Sequence, residues 1–101
     1  MIIYNVTIKV NKDAADEWVR WMNDEHMPEL METGLFTDSK LFRLLDMDES
    51  DGITYAAQYH CATMDEYNKY ISDHAATMRE KGLNRFKDKF VAFRTVMEKV
   101  K

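Results

Sequence analysis

Two kinds of periodicity, in a fixed order, constrain this chain more than any single motif. Ile2–Val10 (IIYNVTIKV) alternates with period two, placing Ile2, Tyr4, Val6, Ile8 and Val10 on one side of an extended strand and Ile3, Asn5, Thr7 and Lys9 on the other. From Lys12 to about Glu32 the spacing turns helical, with Ala15, Trp18, Val19, Met22 and His26 within one arc of about 100°. Asn11 is the expected N-cap, and Asp13, Asp16 and Glu17 suit the positive end of the helix dipole. Pro28 lacks a backbone donor and crowds the carbonyl of Asp24, so a kink or stop is expected near Met27. A short turn from Pro28 to Thr33 then closes at Gly34, the residue best suited to a left-handed cap.

Period two returns from Phe36 to Met47 with both faces partly apolar. Asp48–Gly52 is expected to reverse the chain, its Asp-Gly pair supplying positive φ, and Ile53–Cys61 comes back as a third strand. Thr63-Met-Asp-Glu66 has the form of a capping box. It opens a helix with the inner stripe Met64, Tyr67, Ile71, Ala75, Met78, Gly82 and Phe86, in which Gly82 marks a break or a weak point. Phe90–Val100 closes the chain as a fourth strand. The order βαββαβ with right-handed crossovers predicts an α+β, ferredoxin-like domain over residues 1–101: a four-stranded antiparallel sheet with both helices on one face. At 101 residues there is room for one core. Because the uncovered face also carries Ile3, Leu41, Val91 and Phe93 or their alternates, a homodimer packing sheet against sheet is expected.

Charge excludes some partners. Fourteen basic against 18 acidic residues leave a net charge of −4, which repels phosphate backbones, so no nucleic-acid partner is expected. The charge is unevenly spread. Residues 13–51 carry 12 acidic and 3 basic side chains, and residues 79–101 carry 8 basic and 3 acidic. The basic end reads as a solvated face complementing the acidic first helix of a neighbour. A single cysteine, Cys61, forbids an intrachain disulfide and reads as an inert buried thiol. There is no basic-then-apolar leader and no apolar run near the ~20 residues a membrane helix needs, so a cytoplasmic protein without a membrane partner is expected.

The layout and the run Trp18-x-x-Trp21-Met22-x-x-Glu25-His26-x-Pro28 resemble the dimeric α/β-barrel superfamily, whose members often carry a His and a Pro near the end of the first helix. The whole chain also resembles a small bacterial family of about this length, known only as a domain of unknown function. That resemblance rests on MIIYNVT, the W-x-x-W-M-x-x-E-H-x-P run, ITYAAQY at 53–59 and RFKDKFVAFRTVME at 85–98. It implies a fold and a dimer, and no activity. The superfamily includes cofactor-free monooxygenases, isomerases, decarboxylating enzymes, haem-degrading enzymes and stress-linked proteins, and a shared fold does not choose among them. The haem-degrading branch resembles this chain in Asn5 on the first strand. It departs where that branch would have a Trp and a His, at Cys61 and Glu80.

His26 heads the candidate residues, since its arc turns it toward the sheet one turn before carbonyls freed by Pro28. A carbonyl there would fix its tautomer while the other nitrogen addresses a cleft; the plainer reading is a buried histidine plugging the kink. Glu25 lies near it in angle and reads as its orienting partner or as a solvated carboxylate. His60 faces a pocket or the dimer interface, and His74 reads as partly exposed. The three histidines show no ligand spacing, so no metal is expected. Arg43 and Arg94, in mid-strand, need a carboxylate, either from Glu25, Glu29 or Glu98 or from a bound anion. Asn5, Thr7, Tyr55 and Gln58 read as polar lining, and Trp18 and Trp21 with Met22, Met27 and Met31 as an apolar cushion or simply as core. The expectation is a homodimer binding a small, partly apolar or anionic molecule between helices and sheet, with His26 as acid, base or orienting group. No cofactor is implied, so the chemistry, if any, is proton transfer or isomerisation. The rival expectation is a structural or ligand-sensing homodimer without catalysis.

Overall fold

In the computed structural model, which describes residues 1–101, strand β1 (Ile2–Val10) runs through the middle of the sheet. It pairs on one side with β3 (Ile53–Cys61) and on the other with β4 (Phe90–Glu98), while β2 (Asp38–Arg43) extends β3 outward. The antiparallel order is β2-β3-β1-β4, the ferredoxin-like arrangement. Alternation sorts the side chains as the sequence implies. Tyr4, Ile8 and Val10 of β1 and Tyr55, Ala57, Tyr59 and Cys61 of β3 are buried under the helices. Ile3, Asn5, Thr7 and Lys9 lie on the other face, opposite His60, Gln58, Ala56 and Thr54. The smallest dimension, 19 Å, is that of one sheet and one layer of helices.

The first helical segment does not stop at Pro28. A 3-10 turn (Lys12–Ala14) leads into α1 (Ala15–Trp21), a π-helical stretch (Met22–His26) and α2 (Met27–Glu32). The N–H of Met27 donates to the carbonyl of Met22, five residues back. This wider turn takes up the strain that Pro28 would otherwise put on a regular helix, and Pro28 itself sits at the start of α2, where its missing donor matters least. Asn11 does not cap by its side chain; its carbonyl accepts from the Ala14 N–H at 3.0 Å. Gly34 has φ 76°, the expected left-handed end.

Three boundaries differ from expectation. Strand β2 ends at Arg43, because Asp46, at φ 59°, turns the chain away from the sheet and leaves Leu45 exposed. The positive φ of the β2–β3 loop therefore lies at Asp46. Gly52 is needed for space instead, since a Cβ there would come within 2.9 Å of the Val10 carbonyl oxygen. The second helical segment divides into α3 (Met64–Asp73) and α4 (Ala75–Phe86) at His74, not at Gly82. Its capping box is formed, with Thr63 Oγ1 accepting from the Asp65 N–H and Glu66 Oε2 accepting from the Thr63 N–H at 3.1 Å. The division lets Tyr70 join Ala75, Gly82 and Phe86 in the core, whereas Met64 is exposed. Strand β4 ends at Glu98, and Lys99 donates its N–H to the Met1 carbonyl.

Candidate functional site

The π-helical turn brings His26 down onto the cavity between helices and sheet. Trp18, Met22, Met78, Tyr4, Tyr59 and Phe90 supply much of the wall, and Arg79 and Arg94 lie at it too. Thirteen of its 17 lining residues are hydrophobic, so a ligand there would be held mainly by apolar contact. The cavity volume is about 60 Å³. That is below the ~150 Å³ of an engineered apolar cavity that takes up benzene.

His26 makes no hydrogen bond through its ring, and its Nδ1 is buried without a partner. The expected capture of the ring by a freed carbonyl is absent. Trp21 holds the imidazole instead, stacked at 4.4 Å between ring centroids and 20° between planes, with Phe86 edge-on to the indole. Burial lowers the His26 pKa to about 4, against the opposing pull of Glu29 and with the help of Lys81 and Arg94. At neutral pH the ring is uncharged, able both to donate and to accept. Arg94 donates from Nε to the Tyr4 hydroxyl at 3.2 Å and has no carboxylate within ion-pair distance, contrary to the expected glutamate. Burial, reinforced by neighbouring tyrosines, raises the pKa of Tyr59 and Tyr70 and keeps both phenols protonated.

The structure thus gathers His26, Arg94, Trp18 and Met22 at one cavity. Tyr55 packs against Trp18 at 5.0 Å without lining it. The remaining candidates lie elsewhere. Arg43 is exposed at the outer strand, its guanidinium paired with Glu49 across the loop. Asn5, Gln58 and His60 fall on the helix-free face, where Asn5 Nδ2 donates to Thr7 Oγ1 at 3.1 Å and Thr95 Oγ1 at 3.3 Å. His60 has a buried Nε2 without a partner on that face. Glu25 does not orient His26; its closest cation is Arg85, at 3.6 Å. Sequence reasoning missed Arg79, read as solvated, and the role of Tyr4; Trp21, read with Trp18 as an apolar cushion or core, lines the cavity and stacks on His26.

The two ends of the chain complement each other within one molecule: Asp13 pairs with Lys89 at 2.7 Å, Glu17 and Glu25 approach Arg85, and Glu29 holds Lys81. These pairs form within one molecule, where a neighbour's helix was the expected partner, and Asp16, Asp24 and Glu32 have no cation within ion-pair distance. Cys61 is fully buried, and burial raises its thiol pKa. No three His, Cys, Asp and Glu side chains are grouped as metal ligands, and no helix is long and apolar enough to cross a membrane.

A two-layer α+β sandwich whose helices cover a small apolar cavity, entered by one neutral imidazole, defines a ferredoxin-like domain. The chain belongs to a family defined as a domain of unknown function, DUF4286, whose model matches residues 1–100. No curated protein matches it. Among solved structures it is similar to a dimeric ferredoxin-like protein from an uncultured marine organism, with TM-score 0.76, 8% identity and coverage of 99% of this chain and 95% of that one. A mutant of MhuD with two manganese protoporphyrin IX molecules bound per active site gives 0.73 at 14% identity, covering 100% and 96%. A putative antibiotic biosynthesis monooxygenase from Deinococcus radiodurans gives 0.70 at 13%, covering 100% and 94%. These likenesses establish the fold. The residues do not form a porphyrin site of the haem-degrading kind: Asn5 faces away from the cavity, Cys61 is sealed in the core, and Glu80 is exposed.

Proposed function

We propose that the protein is a homodimer that binds a small, partly apolar, anionic molecule in the cavity between helices and sheet. The observation that carries the reading is the orphaned Nδ1 of His26 beside that cavity. A buried polar nitrogen left unpaired costs about 1–3 kcal/mol, a cost that a bound hydrogen-bonding group removes. Trp18 and Met22 would hold the apolar part, and Arg94 the charge. His26 is the orienting group, and an anion beside it raises its basicity from the resting value toward the range useful for proton transfer. Cofactor-free proton transfer or isomerisation is the reaction this set of groups supports.

The dimer is supported by the helix-free face, where Val91 is 68%, Phe93 63% and Phe42 46% exposed, together with the unpartnered Nε2 of His60. The solved neighbour described as a dimeric ferredoxin-like protein offers the precedent. A second reading, a dimer without catalysis, is favoured by the cavity's small volume. Thermal-shift screening of a metabolite panel, repeated with His26→Ala, separates the two. Stabilising hits that vanish in the variant support a ligand at His26. Identical shifts in both proteins, or none at all, overturn that site.

A further inference from the structure

Two arginines at the one cavity have no carboxylate partner. Arg85, Lys81 and Lys89 each meet a carboxylate, as do Lys9 and Arg43 near the hairpin. Arg79, on α4, and Arg94, on β4, meet none, although both line the cavity. They reach that cavity from opposite layers, Arg79 from the helices and Arg94 from the sheet. The acid that acts on His26, Glu29, is already engaged by Lys81 and so is not free for either arginine. Two uncompensated positive charges at the edge of one apolar cavity favour an anion there.

We propose that Arg79 and Arg94 form a clamp at the mouth of the His26 cavity for the carboxylate of a short-chain organic acid, whose alkyl end enters among Trp18, Met22 and Met78. This inference rests on the cavity's being a ligand site, and it adds the chemical class and Arg79. The Nε–H of Arg94 is held by the Tyr4 hydroxyl, which fixes the guanidinium plane and leaves its terminal nitrogens for the two oxygens of a carboxylate. The apolar lining selects an organic acid over inorganic phosphate, because phosphate would leave that wall unfilled. The small volume limits what enters to a short chain, with the charged head remaining at the mouth.

Butyrate, butyramide and inorganic phosphate are the probes, titrated against the full chain by NMR with the His26 and Trp21 ring signals as reporters. The three have in common their small size, and only butyrate combines charge with an alkyl chain. Butyrate is expected to bind roughly 10-fold or more tightly than butyramide. Arg79→Gln should lower butyrate affinity by about the same factor and leave butyramide unchanged. Both arginines are exposed, so this substitution leaves the core alone, and Arg94→Gln provides a second variant with the same expected outcome. Equal affinity for butyrate and butyramide overturns the clamp while leaving the cavity as a ligand site. Phosphate matching butyrate, or butyrate binding that moves neither ring, shows a surface anion patch and also overturns it. No binding of butyrate overturns it outright, and the His26→Ala screen then reports independently on the site itself.

Discussion

The two faces of the sheet come from the same strands, one residue out of step, and they have opposite fates. On the helix side Tyr4, Val10, Ala57 and Tyr59 are almost wholly out of water. On the other side Val91, Phe93 and Phe42 are equally apolar and stand open. The difference lies in what arrives to cover each face, not in the strands, and it divides the residues by role. The covered face keeps a cavity with a neutral imidazole and arginine at its edge. The open face keeps polar groups that satisfy one another, as Asn5, Thr7 and Thr95 do, beside an apolar patch.

Matched truncations sharpen that contrast most strongly. Phe36 is 5% exposed and packs against Tyr4, Tyr59 and Tyr70 on the covered side. Phe36→Ala should lower the unfolding free energy by about 3–5 kcal/mol in urea titrations, through lost transfer energy and the void left behind. Phe93→Lys, on the open side, should leave the monomer's stability nearly unchanged and act on association instead. Light scattering should show wild-type protein at twice the 12.0 kDa chain mass and the variant at the chain mass. A wild-type monomer, or a variant that remains a dimer, breaks the proposed sheet-to-sheet contact.

Acid tests the covered face next. His26 has a pKa of about 4 when folded, below the ordinary value of 6.5 that it regains on unfolding. Between those values the unfolded chain binds the proton and the folded chain does not, so stability falls as pH drops through that window. The full difference is worth about 3 kcal/mol. Exposed carboxylates such as Asp13, Asp51 and Glu49, whose pKa values are lowered by Lys89, Lys9 and Arg43, weaken the fold only further into acid, as their partners lose them. Urea titrations from pH 7 to 4.5 should therefore show a steady loss that His26→Phe largely flattens. An unchanged slope in the variant would mean that the imidazole is not sheltered.

Periodicity made the strand order, the capping box and the left-handed Gly34 legible, because each depends on a local pattern of residues. It also placed His26 on the inner arc, and the π-helical turn kept it there. It could not say which face of β3 the helices would cover, and that single choice sent Gln58 and His60 away from the cavity along with Asn5. Nor could it locate Arg43, whose partner Glu49 lies in a loop with no periodic signal. The break at His74 rather than Gly82 was hidden for a related reason. A glycine weakens a helix by only about 1 kcal/mol, and tertiary contact decides whether the helix ends there.

Two glycines carry that distinction to its smallest measurable effect. At Gly82 an added Cβ would lie 3.6 Å from the Trp21 ring and 3.8 Å from Phe90, ordinary contact distances, so the helix gains from a side chain without a clash. Gly82→Ala should raise stability by about 0.5–1 kcal/mol, the intrinsic helical advantage of alanine. At Gly52 the same methyl would meet the Val10 backbone oxygen at 2.9 Å, and Val10 sits deep in the central strand, unable to yield. Gly52→Ala should therefore destabilise the protein in the same urea titration. Opposite signs at the two positions identify close backbone approach, not turn conformation, as the reason for glycine at the hairpin. A loss at Gly82 would mean that the wall formed by Trp21, against which His26 stacks, has no slack even for one methyl group.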